Sequence, residues 1–260
     1  MGLKGCVIGD ILGSVYEFNK PEDFDYKTVN LYNKEMTYTD DTVMALAIKS
    51  AVLSDRDYEK HMIKLGRKYE DVGYGGNFYI WLMSNTHKPY NSYGNGSAMR
   101  VAYIGEYYDD LYKCQKEAMH SAFPTHNHPE GIKGAVITAT CIWMAKHGKS
   151  KKEIYQFVLE SYPPNKYAYP ISKSLDELRK DYIWNETCPA CVPVALRCFY
   201  ESKDYESFFR NVISLNCDAD TIAAIGGGIA EEYYKGFGKI KSDEIIKYCL
   251  TDELLEILNL

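Results

Sequence analysis

Apolar residues recur at helical spacing along much of the chain. In YTDDTVMALAIKSAVL, four apolar residues follow an i, i+3, i+4 pattern, namely Val43, Leu46, Ala47 and Ala51. The segment HPEGIKGAVITATCIWMAKHG predicts a second helix, with an apolar face made of Ile132, Ala135, Val136, Ala139 and Trp143. Both segments are therefore predicted as amphipathic helices that pack on a core.

Three segments in the second half of the chain show the same periodicity. CPACVPVALRCFYES is predicted to become helical after Pro193, because proline disrupts the interior of a helix. SDEIIKYCLTDELLEIL opens with Ser242 as a cap and Asp243 as a first-turn acid. KDYESFFRNVISLN has its apolar positions at Tyr205, Phe208, Phe209 and Ile213. No segment alternates convincingly as a strand would, so we predict an all-α protein with one domain over residues 1–260.

Two loops between the predicted helices are rich in Gly, Asn and Tyr. They are EDVGYGGNF at residues 70–78 and NSYGNGSAMR at residues 91–100. Loops of this kind often carry binding and catalytic residues. We therefore expect the functional site to include them.

Two segments concentrate carboxylates directly before a predicted helix. They are YTDDT, with Asp40 and Asp41, and NCDADTIAAIGGGIAEEYY, with Asp218 and Asp220. Either pair alone is explained by helix capping, since such oxygens accept from free N–H groups and anions are favoured at helix N-termini. Four carboxylates around one point would repel each other, and hard divalent ions relieve that repulsion. Oxygen ligation without His or Cys favours Mg²⁺ or Mn²⁺ over Zn²⁺, and two ions can share a carboxylate.

Three consecutive glycines, residues 226–228, follow the second acidic pair by about one helical turn. Glycine costs about 1 kcal/mol relative to alanine inside a helix, so three in a row indicate close packing of two backbones. We predict that the neighbour is the helix that follows YTDD. Close packing would hold the acidic helix ends rigidly in place.

The bulk properties exclude several classes of protein. A formal charge of -6 and a pI near 5.6 argue against binding to nucleic acid or to an anionic membrane. No run reaches the roughly 20 apolar residues of a membrane span, and the N-terminal apolar run is interrupted by Asp10, unlike a signal peptide. The eight cysteines are too sparse for a disulfide scaffold, and Cys188 and Cys191 have no partners at zinc spacing. We expect a cytoplasmic protein, and a monomer.

Five motifs, in order along the chain, resemble the ADP-ribosylglycohydrolase family. They are GCVIGDILGSVYEF, YTDDT, SYGNGSAMR, PTHNHPEGIKGA and NCDADTIAAIGGGIAEEYY, and they span roughly residues 2–236. The resemblance implies an orthogonal bundle of helices with a binuclear site for two Mg²⁺ or Mn²⁺ ions. In this family the ions grip the distal ribose of ADP-ribose while its anomeric bond is hydrolysed. ADP-ribose and ADP-ribosylated substrates are thus the expected partners.

The resemblance also implies roles for individual residues. Glu17 matches a glutamate proposed to help catalysis, and His126 matches a histidine of the ligand pocket, whereas His128 receives no role. The metal ligands would be Thr39, Asp40, Asp41, Asp218, Asp220 and Thr221. The segment that wraps the phosphates would be Ser92, Tyr93, Gly94, Asn95 and Gly96. Asn216 and Cys217 depart from the family's usual Gly-Gly, so the Cys217 thiol is expected to crowd or tune the site, and Asp10 is expected to act as a structural cap.

The sequence thus predicts a metal-dependent hydrolase that releases ADP-ribose, with Glu17 or Asp218 as the base and the general acid unassigned. The acceptor stays open among serine, arginine, a nucleic-acid end and a small metabolite, with GSVYE and SYGNG slightly favouring the O-linked serine branch. One alternative is a phosphatase of the haloacid dehalogenase type, but Ile222 stands where its DxDx[TV] motif needs Thr or Val. The other is a non-catalytic, ADP-ribose-binding or crystallin-like relative, which would not need every acidic ligand.

Overall fold

The computed structural model describes residues 2–18, 20, 22–163 and 169–260. Across these residues the chain folds into α-helices without a β-sheet, which confirms the predicted all-α class. A short 3₁₀ helix covers Pro170–Ser172. The α-helices, in chain order, are α1 Leu3–Gly13, α2 Asp40–Val52, α3 Tyr58–Lys68, α4 Gly76–Met83, α5 Gly96–Met99, α6 Ala102–Tyr107, α7 Leu111–Ala122, α8 Pro129–Lys146, α9 Lys151–Ser161, α10 Leu175–Asp181, α11 Cys188–Tyr200, α12 Tyr205–Ile213, α13 Ala219–Tyr234, α14 Ser242–Cys249 and α15 Asp252–Asn259.

Helix α13 lies at the centre of the bundle, where α1, α8, α11 and α12 pack around it. Its residues are buried from Ala219 through Glu232. Its isoleucines Ile222, Ile225 and Ile229 are all fully enclosed. None of the helices in the described part of the chain combines the length and the apolar character needed to cross a bilayer.

The closest packing in the bundle is between α1 and α13, which corrects the prediction that the glycine run faces the helix after YTDD. A Cβ added at Gly5 would lie 2.2 Å from the carbonyl oxygen of Gly227, and one at Gly227 would lie 2.3 Å from that of Gly5. Gly226 faces Phe208 instead, and Gly228 faces Gly2. Residues 5, 9 and 13 of α1 are all glycines at helical spacing, and this second strip of glycines explains the choice of neighbour.

Helix α11 begins at Cys188, not after Pro193 as predicted. Thr187 is its N-cap, and Pro189 lies in the first turn, where a missing N–H costs nothing. Pro193 lies inside the helix and forfeits one backbone hydrogen bond there. The burial of the apolar residues around it outweighs that loss.

The C-terminal segment forms two helices, and its first cap differs from the prediction. Lys241 takes the N-cap position of α14 and Ser242 is already helical, so Ser242 is not the cap. Asp243 does lie in the first turn, as predicted. Leu250 adopts an extended conformation that ends α14, and the Thr251 hydroxyl then accepts from the Leu254 N–H at 3.4 Å to start α15.

Helix α8 is buried on more sides than its predicted apolar face implies. Ala135 and Ala139 of that face are fully enclosed, whereas Ile132, Val136 and Trp143 are only partly buried. Positions outside that face, including Cys141 and Ile142, are completely buried. This helix lies between α7 and α13, which explains the burial on both flanks.

Candidate active site

The predicted site residues surround one cavity of roughly 640 Å³, which is within the usual size range for a small-molecule site. The beginnings of α2, α5 and α13 meet there, together with the turn that follows α1. The thirteen predicted residues that line the cavity are Glu17, Thr39, Asp40, Asp41, Ser92, Tyr93, Gly94, Asn95, Gly96, His126, Asp218, Asp220 and Thr221. The structure thus brings together residues from five separate stretches of the sequence.

Asp10 and Thr39 satisfy the free backbone groups at the start of α2. The buried carboxylate of Asp10 accepts from the N–H groups of Thr39 and Thr42 at 3.0 and 3.1 Å, and from the Thr39 hydroxyl at 2.7 Å. The Thr39 hydroxyl oxygen also accepts from the Asp41 N–H at 3.3 Å. Asp10 therefore acts as the structural cap that the sequence suggested, and Asp40 and Asp41 are not needed as caps.

The acidic residues of α13 likewise do more than cap a helix. Asp218 is the N-cap residue, yet its carboxylate makes no capping bond and instead accepts from the side-chain amide of Asn95 at 2.7 Å. Asp220 accepts from the adjacent Thr221 N–H at 2.8 Å. The Thr221 hydroxyl donates to Asp41 at 3.1 Å and so joins the ends of α13 and α2. Capping alone does not account for these carboxylates.

The carboxylates form two groups in which oxygen atoms lie within 4.8 Å of one another. One group comprises Asp10, Asp41 and Asp220, and the other comprises Glu17, Asp218 and Asp220. Desolvation by burial, followed by repulsion from neighbouring carboxylates, holds the pKa of Asp41 and that of Asp220 well above their ordinary values. The Oδ1 atom of Asp41 is buried and has no hydrogen-bond partner within residues 2–18, 20, 22–163 and 169–260. A set of crowded oxygen donors with one unpaired buried oxygen suits a hard divalent cation.

Glu17 lies beyond the end of α1 and is only partly buried, at the edge of this cluster. Burial raises its pKa to about 7, with a further contribution from the charge of Asp218. A carboxyl group with a pKa near 7 exchanges protons readily at neutral pH.

The SYGNG loop is held against the segment that precedes α11. The Asn95 N–H donates to the carbonyl of Glu186 at 2.8 Å, and the Cys188 N–H donates to that of Tyr93 at 2.9 Å. Gly94 and Gly96 face the ring of His126, since a Cβ on Gly96 would lie 3.3 Å from its Cε1 and Nε2 atoms. Glycines keep this stretch of backbone accessible from the cavity.

His128 and Cys217 lie near the site but do not line the cavity. The Nδ1 atom of His128 accepts from the Glu130 N–H at 3.1 Å, which makes His128 the cap of α8. The buried Cys217 thiol points to the carbonyl of Val212 at 3.5 Å. The Cys217 side chain thus turns into the core and does not crowd the cavity, contrary to that part of the expectation.

Sequence reasoning did not assign several other residues that line the cavity. Arg100 and the loop from Val72 to Phe78 lie within stretches already singled out as site loops, so the signal was their position beside the assigned residues. Phe18 directly follows Glu17. Glu186 also lines the cavity, and nothing in its sequence context indicates this.

A second cavity, of roughly 660 Å³, lies beside the N-terminal end of α1. Its acidic groups already have partners: the buried carboxylate of Glu231 accepts from the N–H groups of Gly2 and Gly5, both at 2.6 Å. Lys4 pairs with the exposed Asp243. This cavity lacks the crowded, uncompensated carboxylates that distinguish the first one.

The chain is similar to proteins of one family along most of its length. The sequence model of the ADP-ribosylglycohydrolases matches residues 2–235. The ADP-ribosylhydrolase ARH3 of Homo sapiens is 26% identical, over 89% of this chain and 84% of that protein. A putative ADP-ribosyl glycohydrolase, L543, of Acanthamoeba polyphaga mimivirus is 24% identical, over 96% of this chain and 91% of that protein. A solved structure named as an ADP-ribosylglycohydrolase-related protein complex superposes with a TM-score of 0.79 at 22% identity, over 98% of this chain and 94% of that one.

Proposed function

The chain belongs to the ADP-ribosylglycohydrolase family, and we propose that it hydrolyses the bond between the anomeric carbon of ADP-ribose and an acceptor. Water supplies the oxygen that replaces the acceptor on that carbon, and the acceptor leaves with the bonding electron pair and a proton. Free ADP-ribose is the product.

The observation that carries this proposal is the convergence of the carboxylates and the SYGNG loop on one cavity. Asp218 and Asp41 are tied to Asn95 and Thr221 and are not used as helix caps. Burial, and then repulsion between the carboxylates, raise the pKa values of Asp41 and Asp220, and such groups destabilise the folded state at neutral pH. The stability of the bundle therefore does not explain the cluster. The cluster is better explained as a binding site.

The residues present fit a pair of divalent ions. Thr39, Asp40, Asp41, Asp218, Asp220 and Thr221 would hold them, and Mg²⁺ or Mn²⁺ would supply positive charge that orients ribose hydroxyls and stabilises the developing transition state. The buried Oδ1 atom of Asp41, which has no hydrogen-bond partner among the described residues, supports this part of the proposal.

Glu17 is the residue that we propose moves the proton. It lies at the accessible edge of the cluster, and its pKa of about 7 suits a group that takes a proton from the attacking water through a carboxylate oxygen. Asp218 is the second candidate, because it lies in the same group of oxygens and its orientation is fixed by Asn95. The SYGNG loop would present backbone N–H groups to the diphosphate.

We propose serine as the acceptor, on the resemblance of GSVYE and SYGNG to the O-linked branch of the family. The test is a panel of ADP-ribosylated acceptors, linked through serine, arginine, a nucleic-acid end or a small metabolite. Release of free ADP-ribose is followed with Mg²⁺, with Mn²⁺ and with excess chelator. We expect the serine-linked peptide to be cleaved fastest, and only with a divalent ion.

A protein that only binds ADP-ribose would give a different result in the same assay. It would bind free ADP-ribose in calorimetry and release none from any acceptor. That outcome would refute the proposed hydrolysis while leaving the site intact. Preference for the arginine-linked substrate would correct only the acceptor.

A further inference from the structure

A buried arginine in the cavity wall has no acidic partner among the residues that the structure describes. Arg100 is 1% exposed, and the ionisable groups that act on it most are Tyr90 and Cys188, which are neutral at pH 7. Its Nη2 atom donates to the Ser121 carbonyl at 2.8 Å and to the Thr125 hydroxyl at 3.0 Å, while Nε has no partner in the described part of the chain. Burial lowers the pKa of Arg100 only to about 10, so it stays charged at neutral pH. A buried cation without an anion is costly, and Arg100 lines the cavity, which suggests a role there.

The hydrogen bond from Arg100 to Thr125 fixes the direction of the hydrogen bond between Thr125 and His126. Thr125 is fully buried, and its hydroxyl oxygen lies 2.7 Å from the Nδ1 atom of His126. An arginine can only donate, so the Thr125 oxygen accepts from Arg100 and keeps one hydrogen to donate. In the described residues the only acceptor in contact with that hydrogen is His126 Nδ1.

A ring of His126 with its hydrogen on Nδ1 is disfavoured. If Nδ1 carried a hydrogen, both the charged guanidinium of Arg100 and the His126 ring would donate to the Thr125 oxygen. The Thr125 hydroxyl hydrogen would then be buried without an acceptor. Nδ1 is therefore the unprotonated nitrogen, and the neutral ring carries its hydrogen on Nε2. Burial, and then the charge of Arg100, hold the pKa of His126 well below its ordinary value, which agrees with a neutral ring.

The Nε2 atom of His126 faces the SYGNG loop. A Cβ on Gly94 would lie 3.6 Å from it, and one on Gly96 would lie 3.3 Å from it, so no side chain stands between the ring and the loop backbone. The Ser92 N–H donates to the Thr125 carbonyl at 3.3 Å and holds the loop to the same turn of chain.

We propose that Arg100 and Thr125 are positioning residues for His126, which they fix as a neutral ring with the hydrogen on Nε2, directed at a phosphate group of the ligand. The proposal rests on the proposed function for the identity of that ligand, ADP-ribose. The state of the ring is a property of the protein alone.

The ring can be examined without any ligand. Long-range proton–nitrogen correlation spectra of the 15N-labelled full chain report which nitrogen of each histidine carries a hydrogen, and His126→Gln identifies the signals of His126. We expect at pH 7 a neutral ring protonated on Nε2. A ring protonated on Nδ1, or on both nitrogens, overturns the proposal.

Two matched substitutions at Thr125 test the positioning role. Thr125→Val removes the hydroxyl at nearly constant shape, and Thr125→Ser keeps it. We expect Thr125→Val to give a mixture of ring forms and to weaken ADP-ribose binding about 10-fold in calorimetry, the scale of one hydrogen bond to a charged group. Thr125→Ser should keep both the wild-type spectrum and the affinity.

The outcomes separate this inference from the proposed function. Wild-type affinity and a single ring form in Thr125→Val overturn the positioning role. If Thr125→Val fails to fold, the wild-type spectrum and Thr125→Ser still decide. Absence of ADP-ribose binding by the wild type would count against the proposed function, whereas turnover by a wild type with the other ring form would count only against this inference.

Discussion

Substitution of Gly9 by alanine tests whether backbone contact between α1 and α13 builds the site. The added Cβ would lie 2.2 Å from the carbonyl oxygen of Ala223, whereas real Cβ atoms essentially never approach within 3.0 Å, so the helices must separate by roughly 0.8 Å. Overpacking of a core costs about 1–3 kcal/mol, and the upper value of about 3 kcal/mol applies here because the obstacle is backbone that cannot rotate away. Alanine regains about 1 kcal/mol of helix propensity. We therefore expect a net loss of about 2 kcal/mol.

Thermal unfolding measures this loss, and at this chain length about 2 kcal/mol corresponds to a Tm lower by about 4–8 °C. Gly76→Ala is the matched control, because a Cβ there meets nothing within 4 Å, and it should leave the Tm unchanged or slightly raised. A Cβ on Gly13 would lie 2.4 Å from Cα of Asp220, so the same helix contact also sets the position of the carboxylate cluster. Gly9→Ala should therefore also reduce the increase in Tm that we expect Mg²⁺ binding to produce. An unchanged Tm for Gly9→Ala would refute the close packing.

Three further predictions concern the cavity itself. Between pH 4.5 and about 7, Glu17 binds more protons in the folded state than in the unfolded state. The Tm of the metal-free protein should therefore fall as pH rises through that window, and the increase in Tm on adding Mg²⁺ should grow. A Tm that rises with pH in the presence of chelator would contradict this. Glu17→Gln should lower single-turnover rates about 10²-fold with little change in ADP-ribose affinity; loss of both would shift the role of base to Asp218. Gly94→Val should weaken ADP-ribose binding in calorimetry, since an added Cβ would lie 3.3 Å from Ser92 Oγ and 3.6 Å from His126 Nε2, and both residues line the cavity; wild-type affinity would remove the loop from the binding site.

Sequence periodicity predicted the fold class because helices such as α12 bury apolar residues that recur at helical spacing. It failed where proline chemistry suggested a boundary: Pro193 is tolerated inside α11, since the apolar residues around it are buried against the bundle. It also failed to identify the partner of the glycine run. Helix pairing depends on which two surfaces lack side chains, and the motif that contains the glycines of α1 does not by itself reveal such a surface.

The site was predictable in its members but not in their contacts. Acidic pairs before helices indicated a cation site, and the order of five motifs supplied Glu17 and His126. No sequence pattern shows that Asp10 caps α2 from another helix, or that Asn95 orients Asp218, because these contacts join residues 29 and 123 positions apart. For the same reason the link from Arg100 through Thr125 to His126 appears only in the folded chain.

The central claim is that ADP-ribose is released at the carboxylate cluster, and one comparison tests it most directly. The single-turnover release of ADP-ribose from an ADP-ribosylserine peptide is measured in saturating Mg²⁺ for wild type, Asp220→Asn and Asp243→Asn. Asp243 is an exposed residue at the other cavity and serves as the matched control. We predict that Asp220→Asn lowers the rate at least about 10²-fold with an unchanged helical circular dichroism spectrum, while Asp243→Asn equals the wild type. Equal rates for all three folded proteins would contradict the assignment of the active site.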